Sequence, residues 1–216
     1  MDKPIITKDC IKTLFETKFI KVTDIQYAPG KHYYNASRRD LQELTAIKSD
    51  EDFREMCPDA VSCFVVIKTP DDEPRLLMQY EFRYPVGRFL LSPPAGLIDE
   101  KDKHTDDAVL STAKREIFEE TGITVKDSDE LYVVSPLVFS TPGMSDESNA
   151  IACAVVELDS LESLNQDGAE GSECFDGFCL LTKTEAQEVL KNGRDEHGFF
   201  YSVYTWAALL YFISKF

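Results

Sequence analysis

Apolar positions recur along this chain in two rhythms, and the changes between them lay out its elements. From Phe19 to Ala28 the run FIKVTDIQYA alternates apolar and polar residues with the period of a half-buried strand, Pro29-Gly30 makes a turn, and KHYYNASRR returns. An N-terminal β-hairpin is the expected result. Residues 1–17 are mildly amphipathic and fit either a short helix or an arm. Leu41 to Met56 reads as a polar, short helical insertion, Pro58 ends it, and its acidity suggests only a solvated face. Ala60 to Thr69, AVSCFVVIKT, is a continuous apolar run rich in β-branched residues and predicts a buried strand. Asp71-Asp72-Glu73-Pro74 turns the chain, and RLLMQYEFRY brings it back to open a central sheet.

The period then shifts toward helix. Residues 93–123 read PPAGLIDEKDKHTDDAVLSTAKREIFEETGI, with Leu110, Ala113 and Ile117 on one apolar stripe and Thr121-Gly122 as a stop. Glu130 to Ser140 predicts another buried strand, Thr141 to Glu147 a loop with a Pro-Gly turn, and NAIACAVVEL a strand ending near Asp159. Ser160 to Cys174 is polar and glycine-bearing, which predicts a mobile loop. FDGFCLLT is the next strand, and Thr184 with Glu185 starts a helix. FFYSVYTWAALLYFISKF predicts a buried helix, its tyrosines and Trp206 serving the core or a dimer contact rather than a cofactor.

Composition narrows the function. The chain carries 39 acidic and 23 basic residues, a net charge of −16, which argues against nucleic acid as a partner because phosphate backbones require a basic footprint. No apolar run approaches the length of a membrane span and MDKPIITKDC lacks a signal-peptide core, so the expected compartment is the cytoplasm. The six cysteines form no CxxC pair, and Cys63 and Cys153 sit in apolar runs as reduced core residues. His104 and His197 stand alone in polar loops and do not read as metal ligands.

The densest chemistry is Arg115-Glu116-Ile117-Phe118-Glu119-Glu120. On a helix Glu116, Glu119 and Glu120 fall at i, i+3 and i+4 and share one face beside the apolar stripe. Two readings are open. Crowded, partly desolvated carboxylates require a compensating cation, and hard divalent metals take such oxygen ligands together with phosphates. Alternatively Arg115 pairs with Glu119 one turn on, across a solvated face.

The loop-helix-loop unit around this stretch resembles the Nudix box. Gly96 opens it, and Arg115, Glu116, Ile117, Glu119, Glu120, Gly122 and Ile123 match its second half. In the first half ten residues, Leu97 to Asp106, separate Gly96 from the place of the first box glutamate, and Asp107 occupies that place. The resemblance implies that Glu116 and Glu120 ligate metal with the backbone carbonyl of Ala95, that Glu119 assists, and that Arg115 orients a carboxylate. The order EFRYPVGRFLLSPPAGLID further resembles the ADP-ribose pyrophosphatase branch, in which Arg83 matches an arginine that binds the diphosphate; Arg88 stays outside the site. The same branch implies that Tyr34 and Arg39 contact the nucleotide, that Glu147 lies near the terminal sugar, and that a general base stands on the loop before the next strand, Glu173 or, alternatively, Glu170.

The resulting expectation is an α/β/α Nudix sandwich around a mixed sheet, residues 59–216, preceded by an N-terminal antiparallel β extension and dimerisation region, residues 1–58. It implies Mg²⁺, or Mn²⁺, as cofactor, a nucleotide-sugar as small-molecule substrate, and a homodimer. Two alternatives remain open: hydrolysis of another nucleoside diphosphate derivative, and a sensing domain that keeps the fold without chemistry.

Overall fold

The computed structural model describes residues 3–70, 72–99, 101–103, 105, 107–169 and 171–216. His104 and Glu170 lie outside them. The chain divides into two compact units, one of Met1–Pro58 with Phe139–Ser148, the other of Asp59–Val138 with Asn149–Phe216.

The first unit is built on a three-stranded antiparallel sheet in the order β1 (Ile11–Glu16), β2 (Lys21–Ala28), β3 (Lys31–Ser37). Within residues 1–17, expected as a short helix or an arm, Lys8–Cys10 form a 3-10 turn and Ile11–Glu16 form the strand β1. Thr17 explains the difference: its Oγ1 accepts from Phe19 N and Ile20 N while its own N–H donates to Ile20 O, a tight reversal that sends β1 back along β2. The polar stretch 41–56 contains only a short helix, α1 (Asp50–Arg54), capped by Ser49 Oγ on Asp52 N. In the same unit the 139–148 loop is fixed by a bridge from Ala36 to Ser145, by Tyr33 Oη donating to Gly143 O at 2.8 Å, and by Phe53 stacked on Phe139.

The second unit is a mixed seven-stranded sheet covered on both faces. Its strands are β4 (Ala60–Lys68), β5 (Arg75–Arg83), β6 (Arg88–Ser92), β7 (Ala95–Leu97), β8 (Glu130–Phe139), β9 (Ser148–Glu157) and β10 (Phe175–Leu181). The main order is β10-β5-β4-β9-β8, with β6 on β5 and β7 on β4; β4 runs parallel to β9 and antiparallel to β5. Alternation along β4 sorts its side chains into two cores. Val61, Cys63, Val65 and Ile67 pack with Ala113 and Ile117 of α2 (Ala108–Thr121). Phe64 and Val66 pack on the other face with Ala186 of α3 (Lys183–Asn192) and Ala208, Leu209 and Phe212 of α4 (Val203–Lys215).

Several details depart from the pattern-based expectation. SPPAGL ends in a true strand, since Ala95, Gly96 and Leu97 pair with Ser62, Val61 and Ala60; three residues are too few for periodicity to register. β8, expected to be buried, is half-buried because it closes one end of the sheet and has a neighbour on one side only. α3 begins at Lys183, one residue before Thr184, behind a capping box in which the N-cap Thr182 Oγ1 accepts from Glu185 N and Glu185 Oε2 accepts from Thr182 N. Trp206 is half-exposed on α4, while Phe212 and Leu209 supply the buried contacts. No described helix is long and apolar enough to cross a membrane. All six cysteines are free thiols, and burial raises the pKa of Cys63 and Cys153.

Candidate active site

The acidic face of α2 is turned inward. Ala113 and Ile117 lie fully buried against the sheet, and Glu116 and Glu120, which flank that seam on one side of the helix, are carried in with them at 4% and 2% exposure. Gly122 ends the helix in the left-handed conformation (φ 75°), which returns the chain at once toward the core residues Ile123 and Val125. Gly96 of β7 makes room for the first carboxylate: a Cβ there would stand 1.8 Å from Glu116 Oε1. Only a residue without a side chain lets Glu116 lie against β7.

Arg115 gathers three partners. Its guanidinium meets Glu116 Oε1 and Glu119 Oε2, both at 2.7 Å, and donates to Leu97 O at 3.1 Å. The Arg115–Glu119 pair expected of a solvated face is therefore present, but it belongs to a network that reaches a buried carboxylate. Glu120 Oε2 accepts from Gln79 Nε2 at 2.6 Å and from Ala95 N at 3.1 Å. Burial raises the Glu116 pKa to about 7; Arg115 counteracts the rise, and the charges of Glu119 and Glu173 reinforce it. Glu120 is pushed well above the usual carboxylate range by burial and by Glu81, against the bonds from Gln79 and Ala95.

Arg83 stands at the end of β5 with its side chain 43% exposed, paired with the buried Glu81 at 2.5 Å. Burial raises the Glu81 pKa, Arg83 lowers it, and Glu173 adds to the rise. Glu173, exposed just before β10, thus acts electrostatically on both Glu81 and Glu116. Asp107 does not reach this network. It caps α2 from an exposed position without a side-chain capping bond, whereas Asp99, at the end of AGLID, is the carboxylate outside α2 that acts on Arg115.

Tyr34, Arg39 and Glu147 belong to the first unit. Tyr34 presents an exposed ring on β3. Arg39 is largely buried, donating to Ser148 Oγ at 2.9 Å with its Nε 4.0 Å from Asp146. Glu147 is paired with Arg38 at 2.6 Å.

Sequence reasoning passed over Glu81, Gln79 and Asp99. The first two were legible in principle: Leu77, Gln79 and Glu81 alternate on the α2-facing side of β5, and a buried strand that places two polar residues at i and i+2 on one face is presenting them to something polar. As they stand, no three described His, Cys, Asp or Glu side chains converge closely enough to hold an ion, because Glu116 is drawn to Arg115 and Glu120 to Gln79 and Ala95. The donors nevertheless fit a hard divalent cation. They are all carboxylate oxygens, and Glu116 and Glu120 are buried and disfavoured as lone charges.

A two-faced mixed sheet with buried glutamates on an Arg-Glu-x-x-Glu-Glu helix beside a glycine strand defines the class, and the NUDIX domain pattern matches residues 58–202. The chain belongs to the Nudix family. Among its relatives, an uncharacterized Nudix hydrolase of Schizosaccharomyces pombe is 30% identical over 134 residues, 61% of this chain and 60% of that protein. The ADP-ribose pyrophosphatase of Saccharomyces cerevisiae is 32% identical over 124 residues, covering 54% and 49%. The chain thus spans half to three-fifths of the length of these relatives. A crystal structure described as an ADP compounds hydrolase superposes with a TM-score of 0.56, covering 97% of this chain and 92% of its own at 16% identity, a likeness of fold.

Proposed function

We propose that this protein hydrolyses the diphosphate bond of ADP-ribose or a related ADP-sugar to AMP and a sugar phosphate, with Mg²⁺ or Mn²⁺ as cofactor. The observation that carries the reading is the buried pair Glu116 and Glu120 on α2, the first bound by Arg115 and the second by Gln79 of β5 and the Ala95 N–H of β7. The yeast relative's activity supports the choice of substrate class.

Glu116 and Glu120, with Glu119 and the Ala95 carbonyl, would hold the cation. A bound divalent ion neutralises diphosphate oxygens and acidifies an attacking water. Glu173 takes the proton from that water, which requires an approach to about 3 Å or through one bridging water. Arg83 offers its exposed guanidinium edge to the phosphates while Glu81 holds the other edge. Arg115 offsets the repulsion between Glu116 and Glu119 and ties both to the β7 backbone. In the first unit Tyr34 stacks the base. Nucleotide and sugar roles for Arg39 and Glu147 require each to share or leave the partner it holds here. The assembly that follows from this reading is a homodimer formed through residues 1–58.

The test is a panel of ADP-ribose, other ADP-sugars, sugar nucleotides with other bases and dinucleoside polyphosphates, with nucleotide release measured in Mg²⁺ and in Mn²⁺. A preference for ADP-ribose or ADP-sugars supports the reading. A preference for a different class overturns the specificity, and binding without turnover on the whole panel overturns the enzyme.

A further inference from the structure

The Ser160–Cys174 segment, expected to be mobile, is tied in its middle to the C-terminal end of α2. Asn165 N donates to Thr121 O at 3.1 Å. Gly168 lies so close to the helix that a Cβ would stand 2.4 Å from Glu119 O and 2.8 Å from its Cα. Between them Gln166 bonds in two directions: its Oε1 accepts from Gly177 N at 3.2 Å, and its Nε2 donates to Gln79 Oε1 at 3.3 Å. Gln79, fully buried on β5, completes the path by donating to Glu120 Oε2 at 2.6 Å.

The direction of this path is set at one end. A backbone N–H only donates, so Gly177 turns the Gln166 oxygen toward β10 and its NH₂ toward Gln79. That NH₂ requires an oxygen from Gln79, which leaves the Gln79 NH₂ facing Glu120. A reversed Gln79 would set oxygen against oxygen, where burial admits no water to compensate. The Ala95 N–H also lands on Glu120 Oε2, so both donors meet on one oxygen and Oε1 is left to another partner.

We propose that Gln79 and Gln166 are a positioning pair, a one-directional amide bridge that fixes the Glu120 carboxylate for a divalent cation and couples it to docking of the loop that carries Glu173. Neither glutamine touches cation or substrate; both act through Glu120. The inference rests on the reading of Glu120 as a cation ligand. Partners of this kind hold ligating groups in other metal sites, and their loss typically weakens metal binding by about 10–100-fold.

The experiment is a double-mutant cycle of Gln79→Leu and Gln166→Ala, read by calorimetric titration of the substrate-free protein with Mn²⁺, with thermal unfolding in EDTA to check that each variant folds. Gln79→Leu is expected to weaken Mn²⁺ binding by about 10-fold or more. Gln166→Ala should weaken it by about 3-fold, and the double variant should be no weaker than Gln79→Leu alone, because without Gln79 there is nothing left for Gln166 to orient. Should Gln79→Leu fail to fold, the partly exposed Gln166 carries the test, since its truncation leaves the Asn165 and Gly168 contacts in place. Wild-type Mn²⁺ binding in the folded glutamine variants, with binding lost in Glu120→Gln, overturns the bridge. Additive losses overturn the coupling. Undiminished binding in Glu120→Gln overturns instead the reading of Glu120 on which the bridge depends.

Discussion

Replacing Gly96 by Ala separates the fold from the site with a single methyl group. Gly96 has no positive φ, and the backbone of β7 accepts alanine without strain. The added Cβ, however, would fall 1.8 Å from Glu116 Oε1 and 1.9 Å from its Cδ, against the 3.4 Å at which ordinary contact begins. The carboxylate must retreat by about 1.6 Å, well beyond the roughly 0.5 Å within which a functional group has to be held. What gives way is the flexible end of a side chain, so the folding cost is modest. What is lost is the placement of Glu116 and its 2.7 Å contact with Arg115. Misplacement by about 1 Å costs on the order of 100-fold in rate, so Gly96→Ala should lose at least that much turnover while its melting temperature stays within a few degrees of wild type. Turnover of ADP-ribose within threefold of wild type, in a protein that melts normally, would refute the placement of Glu116 against β7.

Three further outcomes follow from the same geometry. Glu116 has a native pKa of about 7 against an ordinary 4.5, so between those values the unfolded chain releases a proton that the native state keeps; metal-free protein should lose stability as pH rises through this window, fully by pH 8, and thermal unfolding in EDTA should show Glu116→Gln with a flatter profile. An identical slope in the variant would exclude this origin. Gly168→Ala sets a Cβ against the backbone of Glu119, which no side-chain swing relieves, so the loop should lift from α2 at a cost of about 1–2 kcal/mol, visible as faster hydrogen exchange at 165–169; unchanged protection would count against the docking. Arg83→Gln removes a charge-assisted contact to the diphosphate and should raise KM for ADP-ribose by about 10-fold with a smaller effect on kcat, whereas an unchanged KM would remove Arg83 from substrate binding.

The sheet and its helices were legible because long runs such as AVSCFVVIKT and the stripe Leu110, Ala113, Ile117 carry one unambiguous period each. β7 was not, because three residues form no period, and β1 was not, because the reversal at Thr17 is made by a hydroxyl rather than by Gly or Pro. The site divides in the same way. Arg115, Glu116, Glu119 and Glu120 stand close together in sequence, and helical geometry alone joins them. Gln79, Glu81 and Gln166 reach the same network from a strand and a loop 34 or more residues away, and only the pairing of β5 with β10 and the docking of the loop unite them. Asp99 in place of Asp107 follows from the long Leu97–Asp106 segment, which separates the sequence position of the first box acid from the carboxylate that acts on Arg115.

The most direct measurement is AMP release from ADP-ribose by wild type and Glu120→Gln, each titrated with Mg²⁺ and each checked for folding. The account predicts turnover that EDTA abolishes in the wild type and a loss of several orders of magnitude in the folded variant at every Mg²⁺ concentration. Near-wild-type release from Glu120→Gln at saturating Mg²⁺ would show that the buried carboxylates of α2 are not where this protein holds its metal.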